Sequence, residues 1–403
     1  MASQDSLKMH ELCKIQTRLS SLTLVPKLKH SLSLTLQHFL PLAGNIVWPS
    51  NSQKHIIKYT PGDGVSLVIA ESDADFYLLS EKSPIEAIKS RHLVSHLDSS
   101  DSICSVISPQ ITLFPNRGFC NGVSAHHAAL DGKSTIIFMN AWAYICQNGA
   151  ELPSLLPELE PFLNREVIKG PDGLDVLLIN QWEKLSAIID PSNLNQRSLK
   201  ISSSVPPTLD QSLRATFELT HSDLEKIKNR MLATWDKGHE RNSKQQWQVS
   251  LWINGGLLSR LEPPIPDNYL GNCVFPHAVN VQPEEFTKEN GLISVAKKIY
   301  SKVKMLDKGV LDGIDDLFTR WISLISEGAQ GIRVAGSTRF GVYRTDFGWG
   351  RPIKVEITSI DRGLTMAFAE SRDGNGGIEI GLVMNKHEMN AFATIFHEGL
   401  QSL

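Results

Sequence analysis

The sequence predicts an α/β protein (α+β layers) built from two similar halves, each a layer of β-strands with helices packed on it. Strand-like alternation bounded by turn residues recurs in both halves of the 403 residues, and each half also has stretches of helical apolar spacing. Between the halves, residues 191–207 are rich in Ser, Asn and Pro, which is typical of a crossover. We therefore predict an N-terminal domain over residues 1–190, a linker over 191–208 and a C-terminal domain over 209–403.

The N-terminal half opens with a polar segment, for which we predict a short helix from Met9 to Leu19. Pro26 then begins a helix with core-facing apolar spacing, which Pro41 ends. Short strands separated by Pro- and Gly-containing turns follow: residues 42–48, 55–59, 65–70, 110–114 and 118–125. Residues 134–147 carry apolar side chains at helical spacing and end at Asn148-Gly149, which predicts a helix.

The C-terminal half begins with a predicted strand over residues 213–219. Thr220 follows as a candidate N-cap of a helix through Ile227 and Met231. The remaining predicted elements are two helices (289–304 and 311–324), a hairpin of 363–370 with 377–384 around a Gly-rich turn, and a closing helix (386–400).

Composition excludes several classes of function. The formal net charge is -3 and the pI is near 6.5, so no electrostatic signature of a nucleic-acid or anionic-membrane partner exists. Five cysteines without paired spacing predict reduced thiols. No signal-peptide core or membrane-spanning run of about 20 apolar residues is present, so we expect a soluble cytoplasmic protein.

Residues 122–134 combine a possible general base, a carboxylate and a chain-reversing glycine at a strand-to-helix junction. Of the thirteen histidines, only His127 has an aspartate four residues on, Asp131, followed by Gly132. Histidine has an unperturbed pKa of about 6.5, which suits proton transfer at neutral pH. Taken alone, the stretch favours a structural histidine over a catalytic one.

The surroundings of His127 predict neither a metal site nor a nucleophile. No further His, Cys or Glu stands at a ligand spacing nearby, and Cys120 alone does not make a metal site. Neither Cys120 nor Ser124 lies in a nucleophile-elbow motif.

A second distinctive stretch runs from Asp346 to Gly350 and reads Asp-Phe-Gly-Trp-Gly. Two glycines around Trp349 predict a tight aromatic loop with little propensity for helix or strand. By itself this loop is compatible with a purely structural turn.

Together these two stretches resemble the paired signatures of the plant acyl-CoA-dependent acyltransferases known as the BAHD family. A third stretch, Tyr269-Leu-Gly-Asn-Cys273, is similar to the Tyr-Phe-Gly-Asn-Cys sequence of the branch that acylates anthocyanins and other phenolic glucosides, commonly with malonyl-CoA. Leu270 replaces the usual Phe. The resemblance extends from about Leu24 to Leu403.

This resemblance implies a chloramphenicol acetyltransferase-like fold of two similar domains with a channel between them. It also implies transfer of an acyl group, most often malonyl, from acyl-CoA to a hydroxyl of a phenolic or flavonoid glucoside. His127 would act as general base without a covalent intermediate, and Asp131 would order the loop and the imidazole. Acyl-CoA would be a co-substrate, with no other cofactor and no metal, and we expect a monomer.

The resemblance further assigns roles to individual positions. Arg165 lies where relatives carry an Asp-Arg-x-Val-Ile sequence, and a guanidinium suits bidentate capture of a malonyl carboxylate; an ordinary surface arginine is the alternative. Trp349 would shape the substrate channel. The following residues are expected to be structural: Gly132, Tyr269, Gly271, Asn272, Cys273, Asp346, Phe347, Gly348 and Gly350.

Two regions depart from the family pattern. The N-terminal segment lacks the Leu-Pro-Leu-Thr-Phe-Phe-Asp-like stretch of relatives, and residues 236–258 are shorter and more polar. Leu258 stands where relatives carry the arginine that usually pairs with the loop aspartate, so Asp346 would need another cation such as Arg344 or Arg351. These departures leave open a catalytically impaired paralogue that acts as a binding protein. A second alternative keeps the chemistry and uses acetyl- or hydroxycinnamoyl-CoA as donor.

Overall fold

The structure is a computed structural model. It describes residues 6–14, 21–149, 154–189, 198–201, 208–234, 249–287, 291–326, 330–361 and 363–403. Most of the predicted linker and all of the polar stretch 237–246 lie outside these residues. Within them, every helix is too short or too polar to cross a membrane.

The strands and helices are numbered in chain order. The strands are β1 Ser6–Lys14, β2 Asn45–Val47, β3 Ile56–Lys58, β4 Val68–Glu71, β5 Ile85–Glu86, β6 Ile103–Ser105, β7 Ile107–Phe114, β8 Gly118–His126, β9 Ser212–Leu219, β10 Val249–Gly256, β11 Val274–Val281, β12 Gln330–Gly336, β13 Lys354–Ile357, β14 Thr365–Glu370 and β15 Ile378–Asn385. The helices are α1 Ser21–His38, α2 Leu40–Ala43, α3 Phe76–Ser80, α4 Ile88–Arg91, α5 Gly132–Asn148, α6 Leu174–Ile189, α7 His221–Thr234, α8 Pro283–Thr287, α9 Gly291–Leu306, α10 Leu317–Ser326 and α11 Lys386–Gln401.

A five-stranded sheet in the order β13-β1-β8-β7-β4 forms the centre of the N-terminal half. The hairpin of β7 and β8 confirms the sequence prediction, and Asn116 in its turn has φ of 61°, a left-handed conformation that asparagine tolerates. Nearly every residue of both strands is buried. Their apolar character therefore reflects coverage on both faces of the sheet.

A seven-stranded sheet in the order β11-β10-β12-β14-β15-β9-β5 forms the C-terminal half. Side chains alternate across a strand, and one face of β9 and β15 packs Phe217 and Leu382 against helix α11. Phe217 lies between Phe392 and Phe396 of that helix, with centroid distances of 4.9 and 5.0 Å. The opposite face of these two strands is left for a cavity.

The two halves exchange strands. β13 comes from the C-terminal half but pairs with β1 in the five-stranded sheet. The two-residue β5 comes from the N-terminal half but pairs with β9 in the seven-stranded sheet. Backbone hydrogen bonds therefore join the halves, and these junctions fix the walls of any site between them.

Helices α1 and α5 pack together in the largest hydrophobic cluster. Trp142 of α5 is fully buried, and its indole N–H lies 3.1 Å from both the Leu28 carbonyl and the Ser31 hydroxyl of α1. A buried indole N–H needs such an acceptor. The bonds hold α5, and thus the segment before it, in a fixed orientation.

Two expectations from the sequence need correction, and one helix was missed. The predicted helix from Met9 is wrong, because β1 pairs with β8 over nine residues and with β13 on its other edge, and these ladders override local propensity. Helix α1 begins at Ser21, so Pro26 lies inside it rather than at its start. Helix α6 was not predicted, although its apolar residues pack against α10.

Candidate active site

A cavity of about 780 Å³ lies between the halves. From the N-terminal half it is lined by His127 and the residues that begin α5, and from the C-terminal half by the free face of the seven-stranded sheet. Cavities of about 300–1,000 Å³ are typical of small-molecule sites. The sequence-predicted general base therefore borders a space large enough for organic substrates.

His127 follows the last residue of β8 and precedes α5, as predicted. Its side chain is partly exposed and lines the cavity. The Asn272 amide donates a 2.8 Å hydrogen bond to the His127 carbonyl, and the same nitrogen lies 3.4 Å from His127 Nδ1. Asn272 thus holds the backbone of the histidine and contacts its ring.

Asp131 is the N-cap of α5 and is 5% exposed. One carboxylate oxygen accepts the Ser134 N–H at 2.8 Å, and the other accepts the Cys273 N–H at 3.1 Å. An N-cap aspartate accepts hydrogen bonds from unpaired backbone N–H groups of the first turn, and its negative charge interacts favourably with the helix dipole. The carboxylate therefore fixes two segments whose positions determine that of His127.

The third motif is bonded directly to the first. Ser134 Oγ donates to the Gly271 carbonyl at 2.8 Å and accepts the Gly271 N–H at 3.0 Å. The Asp131 N–H also donates to the Gly271 carbonyl at 3.2 Å. Segments about 140 residues apart in sequence thus form one buried junction beside the cavity.

Gly132 allows a side chain of the C-terminal half to pack closely against the start of α5. A Cβ at this position would lie 2.9 Å from Cε2 of Phe340, closer than carbon atoms pack. Phe340 and Gly132 both line the cavity. The glycine therefore lets the C-terminal half approach the start of α5.

Cys273 lines the cavity next to Asp131 and is 2% exposed. Burial, with the charge of Asp131, raises the pKa of the Cys273 thiol to about 11. The nucleophilic form of cysteine is the thiolate, so this side chain stays protonated and weakly nucleophilic at neutral pH.

Arg165 and Tyr269 interact with each other outside the cavity lining. The Arg165 guanidinium donates to the Tyr269 hydroxyl at 3.3 Å. A Cβ on Gly271 would lie 2.7 Å from Arg165 Nη1 and 2.5 Å from the Tyr269 ring. Gly271 thus makes room for this pair, which stacks against the junction of the first and third motifs.

The Asp346–Gly350 loop packs against the side of α5, away from the cavity lining. Phe347 is 1% exposed and meets Trp142 edge-on at 5.1 Å. Trp349 packs edge-on against Phe119 at 5.5 Å, and Lys27 Nζ lies 5.0 Å from its ring centroid. The placement of Trp349 supports a packing role and gives it no contact with the cavity.

Asp346 finds its partners within its own loop. Its carboxylate accepts the N–H groups of Gly348 at 2.7 Å and Gly350 at 3.0 Å. Both glycines have left-handed φ values, 97° and 98°. The expected pairing with Arg344 or Arg351 is wrong within the described part of the chain, since two backbone donors replace a cation.

Leu258 lines the cavity rather than the loop around Asp346. It is 9% exposed and belongs to a hydrophobic cluster with Leu257 and Tyr269, whereas Phe347 belongs to the cluster around α5. The replacement of the family's arginine by Leu258 therefore changes the wall of the cavity, which Asp131 also lines.

Three cationic side chains that line the cavity are partly or fully exposed to solvent and are called the cationic rim: Lys133, Arg260 and Arg339. Lys133 pairs with Asp267 at 2.7 Å, and Arg260 pairs with Asp307 at 3.1 Å. Both pairs are exposed enough for water and salt to weaken them. This rim is where the cavity offers positive charge to an anionic ligand.

The sequence interpretation missed three buried charged residues that line the cavity: Arg214, Glu356 and Glu379. Their exposed fractions are only 2%, 7% and 4%. The signal was present, because charged residues inside otherwise apolar strands are rarely buried without a partner or a role. Among the described residues no group of three His, Cys, Asp or Glu side chains could hold a metal ion.

Comparison with known proteins gives a consistent result. The model of the Transferase family matches residues 12–398. Phenolic glucoside malonyltransferase 1 of Arabidopsis thaliana is 39% identical over 94% of this chain and 86% of its own. Malonyl-CoA:anthocyanidin 5-O-glucoside-6''-O-malonyltransferase of the same plant is 36% identical over 98% and 92%.

Solved structures show the same fold. The crystal structure of vinorine synthase matches with a TM-score of 0.63 at 20% identity, covering 96% of this chain and 89% of that protein. At this identity the similarity concerns the fold alone. It confirms the predicted architecture of two α/β halves.

Proposed function

The chain belongs to the Transferase family, the BAHD acyl-CoA-dependent acyltransferases whose signatures its sequence carries, and we propose that it transfers a malonyl group from malonyl-CoA to a hydroxyl of a phenolic or flavonoid glucoside. The observation that carries this proposal is the position of His127 on the wall of a cavity shared by both halves. Relatives named as malonyltransferases of phenolic glucosides and anthocyanidin glucosides support the donor and acceptor classes.

In the proposed reaction His127 takes the proton from the acceptor hydroxyl as the hydroxyl oxygen attacks the thioester carbonyl. The tetrahedral intermediate collapses, the carbon–sulfur bond breaks, and the CoA sulfur receives the proton from the imidazolium. A general base contributes typically about 10²- to 10⁴-fold. Holding both substrates in one cavity supplies much of the remaining acceleration.

Asp131 and Asn272 are proposed to position His127. Asp131 bonds to Ser134 and Cys273, so it orders the junction rather than accepting a proton from the imidazole. Asn272 fixes the His127 carbonyl from the C-terminal half. Contacts of this kind limit the movement of the imidazole ring, because a general base must be held in place to accept the proton.

Direct transfer, without an acyl-enzyme, is supported by the state of Cys273. This cysteine is the one among the described cysteines that lines the cavity, and its pKa of about 11 keeps it protonated. A protonated Cys273 does not compete with the acceptor hydroxyl as the nucleophile that attacks the thioester.

The rim of Lys133, Arg260 and Arg339 is proposed to bind the anionic donor. Phosphates and carboxylates are favourable partners for guanidinium and ammonium groups. Arg165 remains a predicted partner of the malonyl carboxylate, although its guanidinium contacts Tyr269 outside the cavity lining. Separate substitution of each arginine distinguishes the two assignments. If Arg165 binds the malonyl carboxylate, its loss should raise the KM for malonyl-CoA but not for acetyl-CoA, whereas loss of Arg260 or Arg339 from the rim should raise both KM values.

The test is thiol release from malonyl-CoA with a panel of flavonoid and simple phenolic glucosides. Wild type is compared with His127→Ala and with His126→Asn, a control at a side chain that does not line the cavity; asparagine keeps an acceptor for the Ala128 N–H, which His126 Nδ1 accepts at 3.2 Å. We expect acceptor-dependent release by wild type, a loss of at least about 100-fold in His127→Ala and near-normal rates in His126→Asn.

Other outcomes would decide between the alternatives. Faster release from acetyl- or coumaroyl-CoA than from malonyl-CoA would keep the chemistry and change the donor. A folded wild type that releases no thiol from any of the three donors would contradict the enzymatic proposal and favour a binding protein.

A further inference from the structure

The sheet face that lines the cavity carries a row of small side chains across four neighbouring strands. Ala335 of β12 lies opposite Ala367 of β14, which lies opposite Gly381 of β15, which lies opposite Thr216 of β9. All four line the cavity. Because none extends beyond a methyl or a hydroxyl, the row forms a shallow trough in the sheet, bounded at Gly381 by Ile360, whose Cδ1 would lie 3.7 Å from a Cβ on that glycine.

Charged side chains flank this trough on the same face. Glu379 is two residues before Gly381 on β15, and Arg214 is two residues before Thr216 on β9. Residues two apart in a strand point to the same side, and both side chains line the cavity. The proposed acyl transfer uses neither of them.

Glu379 is held rigidly but retains capacity to accept hydrogen bonds. The Tyr343 hydroxyl donates to one carboxylate oxygen at 2.6 Å, and Lys82 Nζ lies 2.8 Å from the other. A carboxylate offers about four lone-pair positions. Two positions therefore remain for a ligand that enters the trough.

Arg214 brings a donor that the described residues leave unused. Its two terminal nitrogens donate to the Ile357 and Thr358 carbonyls at 3.1 and 2.9 Å. Its Nε has no hydrogen-bond acceptor among the described residues, since Glu356 Oε2 lies 3.8 Å away, beyond hydrogen-bond distance. A buried unpaired donor is costly, and a ligand oxygen would satisfy it.

A trough of small side chains flanked by Glu379 and Arg214 suits a sugar ring better than it suits the acyl group or the CoA phosphates. A pyranose has an apolar C–H face, which can lie on the small residues, and a rim of hydroxyls that both donate and accept hydrogen bonds. The charges beside the trough are paired with one another, Glu379 with Lys82 and Glu356 with Lys354 and Arg214, so this face offers an anionic malonyl group or phosphate no excess of positive charge. The cationic rim and the trough therefore attract different parts of the substrates.

We propose that this trough binds the glycosyl ring of the acceptor, with Glu379 accepting from one ring hydroxyl and Arg214 Nε donating to another. The proposal rests on the proposed function, and it adds the residues that determine specificity for a glycoside. The ring's primary hydroxyl would remain available for acylation at His127, on the wall of the same cavity.

The test uses phenyl β-D-glucoside and its 2-deoxy and 4-deoxy analogues, which retain the primary hydroxyl. Two variants change the trough in different ways: Glu379→Gln removes the charge at constant volume, and Ala367→Leu fills the trough without changing any charge. Asp361→Asn is the matched control, because Asp361 is also a buried carboxylate, paired with Arg91, but does not line the cavity.

We expect wild type to favour the glucoside over at least one deoxy analogue by about tenfold or more in kcat/KM, the range of a charge-assisted hydrogen bond. Glu379→Gln should raise the glucoside KM about tenfold, leave kcat within about threefold and remove this preference. Ala367→Leu should raise the KM for all three glucosides, and Asp361→Asn should preserve the wild-type preference.

The proposal is overturned if wild type does not distinguish the analogues, or if Glu379→Gln keeps the wild-type preference. If Glu379→Gln does not fold, Ala367→Leu decides, because an unchanged KM would exclude the trough as the sugar site. If wild type shows no turnover, the same variants are compared by calorimetric binding of phenyl β-D-glucoside. Absence of binding to wild type, or equal binding to all variants, then overturns the proposal independently of the reaction.

Discussion

Both signature motifs contain an aspartate and a glycine, but they lie in different surroundings. His127, Asp131 and Gly132 line the cavity, whereas residues 346–350 pack against the side of α5 and do not line it. Asp131 connects two segments of the chain, whereas Asp346 bonds only to its own loop's glycines in the described structure. Both motifs therefore mark a constrained backbone. Whether a motif lines the cavity distinguishes a role in the reaction from a role in packing.

The largest expected effect concerns Glu11, a buried carboxyl on the side of the Asp346 loop. Glu11 is 1% exposed, and burial raises its pKa to about 8, with the nearby Asn121 amide acting against the shift and the Asp346 charge adding to it. Between the ordinary pKa of 4.5 and about 8, the unfolded chain is ionised here while the folded protein keeps its proton. The free energy of unfolding therefore falls as pH rises through this window, by about 5 kcal/mol in total.

Glu11→Gln tests this prediction, because glutamine has nearly the same shape and does not ionise. Urea unfolding at pH 5, 6, 7 and 8 should show the variant gaining stability over wild type as pH rises, with the smallest difference at pH 5. Parallel curves for the two proteins would contradict the prediction. The charge-neutral variant should also keep wild-type KM values, since Glu11 does not line the cavity.

A paired substitution of the two motif aspartates tests the comparison itself. Asp131→Ala removes the N-cap of α5 and leaves the buried Cys273 N–H without its acceptor, which together cost about 2–4 kcal/mol. Because His127 depends on this junction, kcat should also fall by about tenfold or more. Asp346→Ala should lower stability by about 1–3 kcal/mol and leave kcat within about threefold.

Denaturant unfolding and steady-state kinetics on the two variants separate these outcomes. If Asp346→Ala lowers kcat as strongly as Asp131→Ala while remaining folded, the loop contributes to the reaction. The division between a cavity-lining motif and a packing motif would then be wrong.

Local signals in the sequence predicted the centre of the site. The β7–β8 hairpin, helix α5 and the position of His127 between them depend on alternation, helical spacing and turn residues within a few dozen residues. The fold class followed from repetition of such signals in both halves. These features could be predicted because neighbouring residues determine them.

Other features depend on distant pairing and could not be predicted in this way. β1 is a strand because β8 and β13 provide its partners, and Asp131 meets Cys273 across more than 140 residues. The charge of Arg214 and Glu379 was visible in the sequence, but only the register of β9 and β15 places both on the cavity face. Site geometry therefore needed the three-dimensional structure even where the motifs were recognised.

The glycines of the packing loop give a smaller predicted effect. Gly348 and Gly350 have φ of 97° and 98°, where a side chain costs about 1–2 kcal/mol. Gly350→Ala isolates this backbone cost, because a Cβ there would have nothing within 4 Å. Gly64→Ala is the control, since Gly64 also has open space and its φ lies outside the left-handed region; its stability should stay within about 0.5 kcal/mol of wild type or rise.

The smallest predicted effect is that of Cys273→Ser, and it concerns the route of acyl transfer. The thiol is protonated at neutral pH, and the bond to Asp131 uses the backbone N–H of residue 273, which serine retains. We therefore expect kcat within about twofold of wild type and no malonyl adduct in the mass spectrum of wild type quenched during turnover. Cys273→Ala controls for the new hydroxyl. A loss of more than about 100-fold in both folded variants, together with an adduct on the wild-type peptide that contains Cys273, would replace direct transfer by a covalent route.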